Sequence, residues 1–286
     1  MKFVMYTYFD KLVRENGFRE ALRIAKSVGF SGVEIADGAM TADKALIPSL
    51  EAAKEYRRIL EEEDMIISCY TVGVSLYQAP EATECLKMHA DYAAAMGAPY
   101  LHHTLCFASS KGENAPTYDE VLADVLPRAI EVANYCKPLG ITCIYEDQGD
   151  FFNGVEGFGK FFRAIKAECD NVGVCGDFGN ILFADEGAPE FIEAFLPDIK
   201  NVHLKEYLMR SEKDERPGRW HTTQKGHYLI GVPTGEGSVD FATGLRMLKE
   251  TGYHGCFSLE QELAFPEPFL FDSKQAMEYF ETLFNR

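Results

Sequence analysis

One theme recurs eight times along this chain and constrains its fold more than anything else: a short apolar run, a polar or Gly-rich turn, then an amphipathic stretch. That alternation is the βα signature. The apolar runs cover residues 2–7, 32–36, 65–70, 99–105, 141–146, 172–177, 202–205 and 256–260. Helical periodicity, with apolar residues three and four apart, occupies 18–28, 49–63, 81–96, 118–137, 156–168, 189–195, 241–250 and 273–284. Several helices run into SVGFSGVEI, AMGAPYLHH, PLGITCIYE or ETGYHGCFSLE, each with a Gly where the chain must leave the helix in a left-handed conformation. Eight such units, with no break in composition and no Pro/Ser/Gly linker, predict an α/β chain folded as a single (β/α)8 TIM barrel over residues 1–286. The rival is an open doubly wound sheet. It would usually carry a Gly-rich phosphate turn after its first strand, and here that strand ends YTYFDK. One irregular stretch, 207–240, is charged and Gly-rich, and reads as a long loop after the seventh strand, on the side where barrel loops face the active site.

Charge narrows the partners. There are 28 Lys and Arg against 45 Asp and Glu, a formal charge of −17, which repels phosphodiester backbones and anionic lipid heads. Neither nucleic acid nor membrane is an expected partner. No stretch approaches the ~20 uncharged apolar residues of a membrane span. The start, MKFVMYTYFDKLVREN, lacks the pattern of a secretion signal, so the protein is expected in the cytoplasm. Its eight cysteines form no CxxC pair and read as small buried residues in a reducing compartment.

Barrel chemistry sits at the C-terminal ends of the strands. The last four runs close on Glu146 in ITCIYED, Asp177 in VGVCGDFGN, His203 in NVHLKE and Glu260 in GCFSLEQE. Residues two apart on a strand share a face. Glu146 therefore aligns with Ile144 and Thr142, His203 with Asn201 and Lys205, and Glu260 with Ser258 and Cys256, while Val174 faces outward, opposite to Asp177. Taken singly, each is a solvated strand-end carboxylate or a hydrogen-bonded core histidine. Together they put three carboxylates and an imidazole in one cleft, where mutual repulsion calls for a divalent cation. An oxygen-rich set with one nitrogen suits Mn²⁺, with Mg²⁺ or Co²⁺ as alternatives, more than a thiolate zinc site. Lys205, His102, His103 and Gln148 are the candidate substrate contacts.

On Glu146, the DxGN at Asp177 to Asn180, the HLK at His203 to Lys205, the PTGEGSVDF segment and the GYHGCFSLEQE ending, the sequence resembles the xylose isomerase-like barrel superfamily, in particular its sugar and sugar-phosphate isomerase/epimerase branch. The resemblance implies that Glu146, Asp177, His203 and Glu260 bind one Mn²⁺ or Co²⁺, and that Glu146 and Glu260 also act as an acid/base pair on opposite faces of the substrate. It implies a metal-dependent isomerase or epimerase acting through an enediolate on a small carbohydrate. The chain departs from the ketose epimerases at Phe152, Met209 and Asn180, where those enzymes carry Glu, Arg and His. Two alternatives follow. One is a metal-dependent lyase of the same family, such as the catalytic subunit of a C-glycoside deglycosidase acting on 3-oxo-glycosides, to which His102, His103, Trp220, His221 and His227 would offer a larger, partly aromatic site. The other is a barrel subunit without catalysis. The assembly is expected to be a homo-oligomer or a pairing with a second subunit.

Overall fold

The computed structural model describes residues 1–262 and 269–285. Eight parallel strands close into a barrel: β1 (Lys2–Met5), β2 (Gly32–Asp37), β3 (Ile66–Val72), β4 (Tyr100–His103), β5 (Thr142–Tyr145), β6 (Val172–Asp177), β7 (Ile199–Leu204) and β11 (Cys256–Leu259), with β11 sealing the gap between β7 and β1. All eight coincide with the apolar runs. The α/β barrel expected from the repeats is the fold observed.

The helices match as well. α2 (Phe18–Val28), α3 (Leu50–Glu62), α4 (Glu81–Met96), α5 (Tyr118–Cys136), α6 (Gly154–Glu168), α7 (Ala188–Phe195), α8 (Phe241–Glu250) and α9 (Phe269–Asn285) occupy the periodic stretches. One further helix, α1 (Phe9–Asn16), buries only Phe9 and Val13 and is too short to register as a periodic pattern. Where helices end, Gly29 (φ 117°) and Gly97 (φ 81°) take the left-handed conformation that their junctions require.

Alternation divides the buried residues. Outward-facing Leu101, Cys143, Tyr145, Val174, Val202, Phe257 and Leu259 join the main core under the helices. The barrel interior holds a small apolar plug, Cys69, Ile144 and Cys175 against Tyr100. Above the plug the interior turns polar. Register brings Asp177 beside His203 across β6 and β7, after a shift at Val174/Cys175, and Ser258 beside His203 across β7 and β11.

The stretch 207–240 is not simply a long loop. It contains a three-stranded antiparallel sheet of β8 (Tyr207–Arg210), β9 (His221–Thr222) and β10 (Tyr228–Gly231). Two contacts tie this sheet down. A Cβ on Gly231 would lie 1.4 Å from the carbonyl oxygen of Glu262, so the backbones meet closely there. Buried Glu206 accepts hydrogen bonds from the backbone N–H groups of Gly235 and Val239, both at 3.2 Å. Burial pushes the Glu206 carboxyl up to about 7, against the pull of those donors. The folded chain thus holds this proton more tightly than the unfolded chain does, from an ordinary value of 4.5. The resulting stabilisation is complete below that value and fades as pH rises through about 7. Glu206→Gln cannot ionise, so its Tm should improve relative to the parent between pH 5 and pH 8; parallel Tm curves would count against a buried, proton-holding Glu206.

Candidate metal centre

Strand ends and register assemble the centre. Glu146 follows β5, Asp177 closes β6, His203 lies near the end of β7 and Glu260 follows β11. One ligand atom from each lies within 4.8 Å of the other three. His203 Nδ1 is the hub, 2.9 Å from Glu146 Oε1, 2.9 Å from Glu260 Oε2 and 3.8 Å from Asp177 Oδ2. The sequence-derived set therefore comes together in space.

The loop after β6 fixes Asp177. Its Oδ1 accepts from the backbone N–H groups of Gly179 (2.6 Å) and Asn180 (2.8 Å), while its buried Oδ2 has no hydrogen-bond partner. Gly179 is required by packing, since a Cβ there would stand 2.8 Å from the carbonyl oxygen of Lys205. Each Glu splits its carboxylate. Glu146 turns one oxygen to His203 and accepts a short hydrogen bond from Gln148 Nε2 on the other. Glu260 turns one to His203 and the other to Lys205 Nζ at 2.5 Å. Lys205 also lies 3.4 Å from Asp177 and donates to Asn180 Oδ1 at 3.1 Å.

Electrostatics agree with the geometry. Burial opposes charge on Lys205, but Asp177 and Glu260 raise its pKa well above the usual lysine value. Burial likewise opposes charge on His203, but the Cys175 thiol and the carboxylates of Glu34 and Glu146 push its pKa well above the imidazole range. Burial pushes Asp177 up to about 6 despite Lys205. A field that draws protons this strongly onto buried groups equally favours a metal cation. Asp177 Oδ2, which accepts no hydrogen bond although Lys205 Nζ lies 3.4 Å away, and the three-carboxylate, one-imidazole donor set fit a hard or borderline divalent ion.

Beneath the hub lies a residue that the strand-end reading missed. Glu34, fully buried in β2, accepts from His203 Nε2 (3.1 and 3.2 Å), Thr71 Oγ1 (2.5 Å), Ser258 Oγ (2.5 Å) and Asn201 Nδ2 (3.0 Å). Although burial works the other way, contact with His203 and the hydroxyl donors holds its carboxyl down at about 2. By accepting the Nε2–H hydrogen bond, Glu34 orients the ring so that Nδ1 faces the carboxylates, where it holds a proton in the ion-free fold and would offer its lone pair to a metal, as outer carboxylates commonly arrange for histidine ligands. Glu34→Gln should weaken metal affinity by roughly 10–100-fold. Calorimetric titration with Mn²⁺ checks this, and unchanged affinity would reduce Glu34 to a packing role.

The substrate-contact candidates divide. His102 faces inward, with Nε2 3.7 Å from Glu146 and no hydrogen-bond partner, and burial lowers its pKa to about 4, so it is neutral. His102, Gln148 and Lys205 all line a cavity of about 430 Å³ over the centre, together with Tyr6, Asn180 and Thr104. His103 does not join them. Its ring packs edge-on against Tyr145 on the helix side of β4, where it is fully buried. Adjacent strand residues point to opposite faces, so His102 and His103 cannot both reach the cavity. Of the positions that differ from the ketose epimerases, Phe152 is buried in the core, Met209 lies on β8 and Asn180 lines the cavity.

A parallel barrel with a carboxylate and imidazole cluster at its C-terminal mouth defines a class of (β/α)8 proteins with a candidate metal centre. Within that class, the xylose isomerase-like TIM barrel family matches residues 22–282, and the chain belongs to it. An inosose dehydratase of Clostridium perfringens is 25% identical over 271 residues, covering 88% of this chain and 84% of that protein. Among solved structures, an L-ribulose 3-epimerase aligns with a TM-score of 0.74 at 15% identity, covering 99% of this chain and 94% of the other. A 3-keto-D-glucoside 4-epimerase from E. coli gives 0.72 at 13% identity, covering 99% of each chain.

Proposed function

We propose that this protein is a divalent-metal-dependent enzyme that moves a proton beside the carbonyl of a small polyhydroxylated substrate, with isomerisation or epimerisation as the outcome. The convergence of Glu146, Asp177, His203 and Glu260 below an open polar cavity carries this reading. Mn²⁺ is the favoured ion, with Mg²⁺ or Co²⁺ as alternatives. When bound, the ion would act as a Lewis acid, stabilising negative charge that develops on the carbonyl oxygen. Glu146 and Glu260 enter from β5 and β11, strands separated by β6 and β7, so each approaches the substrate from its own side. One takes a proton from carbon and the other returns one to the opposite face. Gln148 and Lys205 hold the outer carboxylate oxygens, and neutral His102 offers a hydrogen bond to a substrate hydroxyl.

A second reading, elimination of water or of another group next to the carbonyl, is favoured by one specific asymmetry. Both carboxylates share the contact with His203, but Glu260 also touches the cation Lys205, whereas the other oxygen of Glu146 meets the Gln148 amide and lies 3.7 Å from His102. A cation on one side only suits departure of a leaving group on which negative charge develops. The Clostridium perfringens relative named above is an inosose dehydratase. In both readings the substrate is a small carbohydrate or glycoside. The free thiols of all eight cysteines suit the reducing cytoplasm. A homo-oligomer is the assembly to be checked by light scattering.

Incubating the metal-loaded enzyme in heavy water with ketoses, inososes and keto-glycosides tests the shared first step. Deuterium at the carbon beside the carbonyl, in recovered substrate or an epimer, supports proton transfer. Loss of water with a new ultraviolet band selects elimination. No label in any compound and no elimination product would overturn both readings.

A further inference from the structure

The barrel mouth holds a second cavity, of about 480 Å³, for which proton transfer at the metal centre has no use. Gln148 and Asn180 line both cavities, so the two share a wall. Past that wall the lining changes character. Phe183, Tyr207 and His221 stand edge-on to one another, with ring centroids 5.4, 5.3 and 6.2 Å apart. Glu262 clamps two of them, accepting from the Tyr207 hydroxyl at 2.6 Å and contacting His221 Nε2 at 2.9 Å. Tyr207 and His221 belong to the β8–β10 sheet, and Gly231 of that sheet lies against the Glu262 backbone, so this aromatic wall is held in place. Phe183 and His221 are only partly buried. The remaining lining includes Ser110, Lys111, Asp150 and Gln224, which offer charge and hydrogen bonds.

A free hexose-sized ketone would fit within the metal-side cavity and leave the aromatic wall facing water. Partly exposed aromatic rings beside convergent polar groups are instead the lining of a binding site for a ring with polar substituents. We propose that this cavity is the subsite for a second ring of the substrate, aromatic or glycosyl, joined to the polyhydroxylated part that lies over the metal centre. This rests on the proton-transfer reading for what occupies the first cavity. It names the substrate class more closely: a glycoside or ring conjugate rather than a free sugar. Phe183 and His221 are then specificity-determining residues. The ring stacks on one of them and meets the other edge-on, while Lys111, Asp150 and Gln224 hydrogen-bond its oxygens.

Titration calorimetry with phenyl β-D-glucoside, cellobiose and methyl β-D-glucoside on the metal-loaded protein tests the subsite. At least one of the two-ring probes should bind tenfold or more tightly than the methyl glucoside, and which one gains distinguishes an aromatic from a glycosyl ring. Phe183→Leu, which keeps the apolar packing but removes the ring, and His221→Ala should each cut that advantage below threefold by weakening the two-ring probes, with a cooperative melting transition as the check that each variant is folded. Equal affinities, no binding by any of the three, or an advantage that survives both substitutions overturns the proposal. None of the probes carries a ketone, so the result is independent of turnover. A two-ring preference in a protein that exchanges no deuterium would keep the subsite and reject proton transfer; exchange without the preference would do the reverse.

Discussion

Glu146→Gln is expected to lower turnover by roughly 10²–10⁴-fold, the range over which a positioned acid or base contributes, while leaving the barrel folded. Gln matches the shape of Glu and keeps an oxygen that can face His203 Nδ1, now 2.9 Å from Glu146 Oε1. What it removes is the negative charge and the capacity to accept a proton. The main core lies on the other side of the strands, so Tm should shift by only a few degrees. Glu260→Gln should be as damaging to net turnover, and the pair of variants separates the two outcomes. If each carboxylate serves one face, either variant alone still exchanges hydrogen from its intact side in heavy water and forms no epimer. If the reaction is an elimination, the variant lacking the base loses both exchange and product. The variant lacking the acid keeps exchange. Steady-state rates with residual activity above about a tenth of the parent in either variant would remove that residue from the acid/base pair.

The centre is legible in the sequence because strand alternation and the barrel rule act together. A parallel barrel strand has one face to the helices and one to the interior, so a strand-end carboxylate of inward parity can point only at the mouth. The same alternation, applied to consecutive residues, puts His102 and His103 on opposite faces of β4. Glu34 is harder to read because it lies in the middle of GVEIAD, inside an apolar run that reads as core. A signal is present: a carboxylate inside such a strand cannot face the apolar helices, so it must face the interior and find partners there. Those partners, Thr71, Asn201 and Ser258, are spread over three other strands, and only closure of the barrel gathers them. The β8–β10 sheet is hidden for a different reason. β9 is two residues long, and its neighbours are separated by charged and Gly-rich turns, so no window is wide enough to show a period of two. Its place is set by contacts distant in sequence, Gly231 on Glu262 and Tyr207 on Glu262, which no local pattern encodes.

Stripping divalent ions with a chelator should abolish turnover and lower Tm by roughly 8 °C. A ligand present at about a thousand times its Kd stabilises by about 4 kcal/mol, and a chain of this size shifts by about 2 °C for each kcal/mol. The pH dependence carries the sharper test. In the ion-free fold, burial holds the Asp177 carboxyl up at about 6, above its ordinary 3.8, so the folded chain binds that proton more tightly than the unfolded chain does. The stabilisation from that proton is complete below about 3.8 and is lost as pH climbs through about 6. The stripped protein should therefore weaken between pH 5 and pH 7.5. With a cation in place of the proton, Asp177 stays ionised throughout and the loaded protein lacks this loss. The Tm gap between loaded and stripped protein should accordingly widen across that interval, and Asp177→Asn should both narrow it and weaken metal binding. A gap that stays constant with pH, or metal content unchanged in Asp177→Asn, would show that the ion is not held among Glu146, Asp177, His203 and Glu260.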